Sequence, residues 1–352
     1  MNVTDSNILD TTNDYIYSES TETFENSRTF TFHFLPVLYC LAFTFGLVGN
    51  ILVIFVLVYC KKLRTTTDVY LFNMAVSDLL FVVSLPFIAY TIINEWIFGN
   101  IMCKILSTIY FVGFFSSIFF ITVMSVDRYF AIVHVVFALR VRNVRWGLIV
   151  SIVVWVLALS ISTPNFKFHE IVMTGNYTEC VLSYPEINRQ NWKIFCSLLI
   201  NIFGLVIPLF ILLFSYLHII KTLQNSKCKQ KRCAIRLILI VGIVFFIFWT
   251  PYNIVVFLNI LKTSGAVDLE TDQLQTAADV THTLSLVHCC LNPIIYTFAG
   301  EKFRGYLRLI INRPLNFVHS SRIVGSYKTS VSDYASSTSR ISKGSFSSES
   351  IL

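Results

Sequence analysis

The chain has 352 residues, of which 55% are apolar and only 13% are charged. Soluble globular proteins carry about 25% charged residues, so this composition excludes an ordinary soluble domain and favours a membrane protein. The net charge of +7 is unevenly placed. Its basic residues cluster beside apolar stretches, where anionic lipid accounts for them, and we therefore expect no nucleic-acid partner.

The first 33 residues form a polar, acidic segment with six carboxylates and a single arginine. So little apolar content predicts a disordered tail. The segment lacks a cationic opening followed by an apolar run, so no cleavable signal peptide is expected. Asn2 and Asn176 each begin a glycosylation sequon, which is used only where it faces the lumen.

Seven apolar stretches follow the tail, each long enough for a helix to cross a hydrocarbon core of about 30 Å. They cover residues 34–60, 69–93, 104–126, 146–163, 194–220, 235–261 and 280–299. The predicted fold class is therefore an all-α membrane protein, a seven-transmembrane helix bundle over residues 34–300. An odd number of spans puts the two termini on opposite sides of the membrane.

The connecting loops predict the orientation of the bundle. Lysines and arginines follow the first, third, fifth and seventh stretches, at residues 61–64, 140–145, 221–232 and 302–308, while the alternate loops are acidic or mixed. By the positive-inside rule the amino terminus is extracellular and the carboxyl terminus is cytoplasmic. The expected location is the plasma membrane.

Nine cysteines are present, and most of them lie in or next to apolar stretches, where a thiol behaves as a small hydrophobic group. Cys103 and Cys180 instead flank segments that we place outside the cell. An oxidising exterior makes these two the natural disulfide pair.

After the last span, residues 301–313 predict a short amphipathic helix on the membrane surface, with Phe303, Leu307 and Ile310 on one face. The remainder, 314–352, is dense in serine and predicts a disordered cytoplasmic tail that kinases could phosphorylate.

Charged residues at two places, one at the end of an apolar stretch and one inside another, need an explanation. Asp127 and Arg128 directly follow the third stretch, where an ion pair is costly to desolvate and so indicates a purpose; the alternative is a helix end whose charges reach the headgroups. Asp78 lies about ten residues into the second stretch. A carboxylate at that depth costs about 2.5–3.5 kcal/mol, so it must face partners inside the bundle.

Taken in order, these features resemble the rhodopsin-like G-protein-coupled receptors over roughly residues 34–311. The motifs that carry the resemblance are Gly49-Asn50, Ser77-Asp78-Leu79-Leu80, Cys103, Asp127-Arg128-Tyr129, Trp155, Pro208 with Tyr216, Phe248-Trp249-Thr250-Pro251 and Asn292-Pro293-Ile294-Ile295-Tyr296.

Within that class the chain resembles the CC chemokine receptors, and among them the type 8 receptors most. The segments similar to that group are Asp127-Arg128-Tyr129-Phe130-Ala131-Ile132-Val133-His134, Trp96-Ile97-Phe98-Gly99, His288-Cys289-Cys290-Leu291-Asn292-Pro293 and Phe298-Ala299-Gly300-Glu301-Lys302-Phe303-Arg304. The weight of Ile, Phe and Asn is typical of an AT-rich genome, which makes a virus-encoded homologue an alternative origin.

The resemblance implies a switch at the cytosolic end of the bundle. Arg128 of the Asp127-Arg128-Tyr129 motif would pair with Asp127 at rest and move toward Tyr216 in the active state, while the Tyr296 ring turns inward. Trp249 and Pro251 would couple the ligand pocket to a hinge, or Trp249 would simply pack in the core. The implied sodium and water pocket comprises Asp78, Ser117 and Asn292; its alternative is a hydrogen-bonded structural aspartate.

The resemblance also implies two contacts with a basic chemokine. The tail segment of Asp14, Tyr15 and Tyr17 resembles a sulfotyrosine site, although an acidic solubilising tail is the alternative. The ligand's amino terminus would enter the bundle at Tyr39, Ile88, Tyr110, Tyr252 and His282. For the three tyrosines the alternative is that they are core aromatics at the membrane interface. Two of these five residues depart from the family pattern, since His282 stands where most members have Glu and Ile88 where many have Trp. A neutral imidazole is a poor partner for a ligand amine.

The expected function is a CC chemokine receptor that signals through an inhibitory-type heterotrimeric G protein, with arrestin and receptor kinases acting on the serine-dense tail. A chemokine-scavenging or constitutively active receptor of the same fold is the alternative. A transporter predicts internal repeats and Gly-interrupted spans, and an intramembrane enzyme predicts paired catalytic groups at one depth. The sequence shows neither, so we expect no enzymatic activity and no cofactor apart from an allosteric sodium ion.

Overall fold

The structure is a computed structural model that describes residues 35–141, 143–175, 177–224 and 229–299, together with Phe303 and Gly305. Several predictions fall outside the described residues. They are the two tails, the sequon residues Asn2 and Asn176, the tail residues Asp14, Tyr15 and Tyr17, and all of the amphipathic helix except Phe303 and Gly305.

The described residues fold into a bundle of helices with one β-hairpin. The helices are α1 (Leu35–Phe55), α2 (Thr66–Ile93), α3 (Gly99–Val133), the short α4 (Val135–Val141), α5 (Val144–Phe168), α6 (Arg189–Asn201), α7 (Ile207–Gln224), α8 (Lys229–Thr263) and α9 (Thr271–Ala299). A π-helical stretch, Val56–Lys61, extends α1, and another, Ile202–Val206, joins α6 to α7. The hairpin consists of β1 (His169–Thr174) and β2 (Tyr177–Leu182).

Six of the long helical segments in the described chain are long and apolar enough to cross a membrane. They are α1, α2, α3, α5, α6 with α7, and α8, and they match the first six predicted stretches. The seventh, α9, is a helix of 29 residues whose amino-terminal half is largely polar, so its apolar residues are concentrated toward the carboxyl end. The predicted helical membrane bundle is confirmed.

Most of the helices extend beyond their predicted limits, and three of them do so most clearly. The third apolar stretch ends at Val126, directly before Asp127-Arg128-Tyr129. Helix α3 starts at Gly99 and ends at Val133, so this motif lies inside the helix. α9 begins at Thr271 instead of residue 280, and α8 begins at Lys229. The reason is physical: apolar content marks the part of a helix that contacts lipid, whereas backbone hydrogen bonding continues into the aqueous layers.

α3 is the central helix of the bundle and packs against α2, α5, α7 and α8. In its most apolar stretch 72% of the residues are buried, compared with 22% in α5. Close packing on α2 depends on Gly113, because a Cβ there would lie 2.8 Å from the backbone oxygen of Ser77 and the backbone nitrogen of Phe81. Residues on α3 can therefore contact both ends of the molecule.

The π-helical stretch Ile202–Val206 precedes Pro208 and has a clear cause. Proline has no N–H and its ring clashes with the carbonyl four residues earlier, here that of Gly204, so the helix widens locally. Gly204 also lets the Phe114 ring approach, since a Cβ at this position would lie 2.6 Å from that ring.

The hairpin β1–β2 was not predicted, and it lies at the end of the bundle that we call the hairpin end. Its strands pair from His169 with Leu182 to Thr174 with Tyr177. The predicted disulfide between Cys103 and Cys180 is confirmed and joins β2 to α3. Trp96 adds a second attachment, because its backbone N–H donates to the Thr178 carbonyl at 2.7 Å and its ring packs beside the disulfide.

Candidate functional site

A cavity of about 860 Å³ opens at the hairpin end. α2, α3, α8, α9 and the hairpin line it, and its predicted lining residues are Ile88, Tyr110, Tyr252 and His282. This volume falls in the range of small-ligand sites, about 300–1,000 Å³. The structure therefore brings four of the five predicted bundle contacts to one cavity, and the fifth, Tyr39, lies next to it.

His282 is held between two of the predicted tyrosines. Its Nδ1 lies 3.3 Å from the Tyr39 hydroxyl, and its Nε2 lies 2.5 Å from the Tyr110 hydroxyl. A neutral imidazole has one donor and one acceptor, so one tyrosine donates to the ring and the other accepts from it. The ring is thereby fixed in orientation on the cavity wall, with Tyr252 packed at 5.4 Å between ring centroids.

This cavity, which we call the acidic cavity, carries negative charge. Glu95 and Glu179 are among its lining residues, and no lysine or arginine of the described chain is. His169 also lines it. Burial lowers the pKa of the His169 imidazole, so this group adds no positive charge at pH 7.

A second cavity of about 480 Å³, which we call the basic cavity, lies between α3, α5, α6 and α8. Arg189 and Lys193 line it, and no aspartate or glutamate among the described residues does. Phe111 and Tyr252 line both cavities, so the two are neighbours. Sequence reasoning did not find the basic cavity, because its residues come from helices far apart in the chain.

Below the acidic cavity an aromatic cluster leads into the core. The Phe81 ring lies 4.6 Å from Tyr110 and 6.2 Å from Trp249. Trp249 is fully buried, and its indole N–H donates to His288 Nδ1 at 3.0 Å. The predicted Trp249 thus contacts the cavity wall through one intervening ring, and it lies two residues before Pro251 in α8.

Asp78, Ser117 and Asn292 meet in the buried core, as predicted. The Ser117 hydroxyl donates to Asp78 Oδ1 at 3.0 Å, and the Asn292 amide donates to Asp78 Oδ2 at 2.8 Å. Among the described residues no group of three or more His, Cys, Asp or Glu side chains could hold a metal ion. A single carboxylate with a hydroxyl oxygen beside it suits a monovalent hard cation, which prefers oxygen ligands.

At the opposite end, which we call the Arg128 end, Asp127 and Arg128 interact through a third residue. Arg128 Nη2 lies 3.8 Å from Asp127 Oδ2 and also donates to the Thr67 hydroxyl. Thr67 in turn donates to Asp127 Oδ2 at 3.3 Å. Thr67 occupies the first turn of α2, whose start is fixed by a capping box of Thr65 and Asp68.

The two predicted switch tyrosines have other partners at this end. The Tyr216 hydroxyl lies 3.1 Å from the Ser125 hydroxyl, one turn before Arg128 on α3. The Tyr296 hydroxyl donates to the sulfur of Met74. Tyr129 lies apart from both, with its hydroxyl 3.1 Å from His134 Nε2. The structure therefore brings Asp127, Arg128 and Tyr216 to one region of α3, whereas Tyr129 and Tyr296 contact other residues.

Sequence reasoning assigned no role to several residues that complete these sites: Thr67, Phe81, Ser125, His169 and His288. No local pattern reveals their roles, because each acts through a partner on another element. Four of them share only one signal, a polar or aromatic side chain on a helix, whereas His169 begins strand β1; most such residues serve packing.

Comparison with known proteins identifies the relatives of this chain. A sequence profile described as "7 transmembrane receptor (rhodopsin family)" matches residues 49–296. The human C-C chemokine receptor type 4 is 49% identical over 323 residues, which cover 87% of this chain and 88% of the relative. The human C-C chemokine receptor type 1 is 44% identical over 309 residues, covering 86% and 87%. The C-C chemokine receptor type 3 of Cavia porcellus is 46% identical over 308 residues, covering 87% and 86%.

Proposed function

We propose a function for this chain from its family: it belongs to the rhodopsin family of seven-transmembrane receptors and, within that family, to the C-C chemokine receptors. The proposed function is to bind a CC chemokine and to activate an inhibitory-type heterotrimeric G protein. The hairpin end then faces outward and receives the chemokine. The Arg128 end faces the cytosol and receives the G protein, in agreement with the basic loops.

The observation that carries the coupling proposal is the arrangement of α3 at the Arg128 end. Arg128 is held by Asp127 and Thr67, while Tyr216 is held one turn away by Ser125. Both sets of contacts are short polar interactions that can be exchanged without unfolding a helix. A bistable element of this kind converts ligand binding at one end into a new surface at the other.

The path between the two ends runs through the middle of α3. A chemokine amino terminus in the acidic cavity would press on Tyr110, whose ring packs on Phe81 and through it on Trp249. A sodium ion at Asp78 and Ser117, with Asn292 beside them, would stabilise the resting arrangement and leave on activation. The tail residues Asp14, Tyr15 and Tyr17 would hold the chemokine body.

The remaining partners follow from the same proposal. Arrestin and receptor kinases would act on the serine-dense segment 314–352, and glycans would be attached at Asn2 and Asn176. The likeness to the type 8 receptors and a viral origin stay predictions from the sequence; a virus-encoded copy would act in the plasma membrane of its host.

The test is nucleotide exchange with Arg128→Ala. Membranes with the wild-type chain and an inhibitory-type G protein should bind a non-hydrolysable GTP analogue when a CC chemokine is added. The variant should lose this response while it binds the chemokine with unchanged affinity, because Arg128 lies far from the acidic cavity. Arg145→Ala is the control, since this exposed arginine at the start of α5 removes the same charge from the same end.

Three outcomes would contradict the proposal. If none of a panel of CC chemokines binds, the ligand class is wrong. If the chemokine binds and is internalised but the wild-type chain never stimulates exchange, the protein is a scavenger. If the Arg128→Ala variant keeps full exchange, Arg128 is not the switch.

A further inference from the structure

Five cationic side chains from four helices form an arc along one side of the hairpin end, which we call the basic arc. They are Lys104 of α3, Lys167 of α5, Arg189 and Lys193 of α6, and Lys262 of α8. Lys104 Nζ lies 3.5 Å from the Lys167 carbonyl, and Lys193 interacts with both Arg189 and Lys262. The Trp192 ring connects the two groups, because Lys167 Nζ lies 5.4 Å from its centroid and Lys193 is the next residue of α6.

The described part of the protein does not neutralise the basic arc. Glu170 and Glu186 lie in the adjoining segments, but no described carboxylate forms an ion pair with a residue of the arc. Both ion pairs within the described ranges lie at the Arg128 end. Repulsion among clustered cations is relieved by an anion that lies across them.

The chain itself contains an anion that fits the arc. The amino-terminal tail, residues 1–33, carries six carboxylates and a single arginine. Other partners fit less well, since a basic chemokine would be repelled by the arc and anionic lipids are concentrated in the cytoplasmic leaflet, away from the hairpin end. Charge complementarity therefore favours the tail as the occupant.

The tail is long enough to reach the arc. It joins α1 at Leu35, and Tyr39 in the next turn contacts His282 on the cavity wall at the hairpin end. From α1 the path to the arc crosses three packed pairs, α1 on α9, α9 on α8 and α8 on α6. At about 8–10 Å between packed helices the distance is about 30 Å. The ten residues from Glu25 to Leu35 extend to about 35 Å, and the other carboxylates of the tail lie farther out.

We propose that the acidic amino-terminal tail lies across the basic arc in the ligand-free protein. The contact is intramolecular and goes beyond the proposed function, because it needs no chemokine. Each ion pair between exposed groups is weak, but tethering gives the tail an effective concentration in the millimolar range, so several pairs together hold it. One consequence rests on the proposed function: a basic chemokine would compete with the arc for the tail, and the released tail would hold the chemokine body.

The test is carbodiimide coupling in the ligand-free, full-length protein in nanodiscs of phosphatidylcholine alone. The reagent joins a carboxylate to a lysine amine where the two are in contact, and mass spectrometry identifies the joined residues. We expect links from the tail to Lys167, Lys193 and Lys262. Their yield should fall when the salt concentration rises from about 0.05 to 0.5 M, because salt screens exposed charges. Absence of every such link at low salt would overturn the proposal.

Two double variants separate charge from chemical reactivity at the same positions. Lys193→Arg with Lys262→Arg removes both amines but keeps both charges, so the link from the tail to Lys167 should persist. Lys193→Gln with Lys262→Gln removes the charges as well, and the yield at Lys167 should fall about threefold or more, since each lost pair weakens the contact. Equal yields at Lys167 in the two variants would mean that charge does not hold the tail there, and the proposal would be wrong.

A sulfated polysaccharide is the competing occupant, because it too is a flexible polyanion outside the cell. Acetylation of the arc lysines, read by mass spectrometry, distinguishes the two in the full-length chain. If the tail covers the arc, Glu19→Gln with Glu22→Gln and Glu25→Gln should speed acetylation of Lys167 and Lys193. If these changes have no effect and only added heparin protects the lysines, the arc binds polysaccharide and the tail proposal fails. None of these measurements uses a chemokine, so failure of every CC chemokine to bind would refute the proposed function alone.

Discussion

Replacing Thr67 by valine should raise the activity of the receptor in the absence of ligand. Valine has nearly the shape of threonine but no hydroxyl, so the change deletes both the bond that Thr67 accepts from Arg128 and the bond that it donates to Asp127. Asp127 and Arg128 remain in place at 3.8 Å. The bridge between them is lost, and Arg128 is freer to leave the resting position.

The size of the effect follows from these contacts. A hydrogen bond to a charged group contributes about 1.5–3 kcal/mol. Two are deleted, but the Arg128 side chain is 15% exposed, and water can replace part of the loss. Taking the equivalent of one bond, the resting state loses about 1.5–3 kcal/mol, which raises the ratio of active to resting receptor about 10- to 150-fold.

Basal nucleotide exchange on an inhibitory-type G protein measures this ratio directly at matched receptor density. Thr66→Val is the control, because the neighbouring hydroxyl donates to the Asn143 carbonyl and has no contact with the ion pair. Basal exchange that is unchanged in Thr67→Val, or raised equally in Thr66→Val, would refute the reasoning that the hydroxyl holds Arg128 at rest.

Two further predictions concern the core. Gly113→Ala should lower the thermal unfolding midpoint by the equivalent of about 1–3 kcal/mol, since its Cβ would lie 2.8 Å from backbone atoms of α2. Gly147→Ala should cost less, because the nearest atom that its Cβ would meet is the Thr66 methyl at 3.3 Å. Asp78→Asn should abolish any effect of sodium on chemokine affinity, measured in sodium chloride against choline chloride, because it removes the carboxylate charge; an undiminished sodium effect would place the ion elsewhere.

Much of the architecture follows from the sequence because membrane insertion leaves strong local signals. Long apolar stretches and flanking basic residues mark the helices, since the bilayer interior excludes charge and requires every backbone group to be hydrogen-bonded within its helix. The disulfide between Cys103 and Cys180 and the meeting of Asp78 with Ser117 and Asn292 were also predicted. Those pairings came from topology and from the resemblance to a known family.

The tertiary structure alone decided what depends on contacts between distant segments. It joined Thr67 of α2 to the ion pair of α3, placed His282 between Tyr39 and Tyr110, and divided the hairpin end into two cavities of opposite charge. Single hydrogen bonds and shared cavity walls leave no periodic trace in a sequence. They arise from the distances between helices, which are set by packing at positions such as Gly113 and Gly204, where the absence of a side chain lets two elements meet.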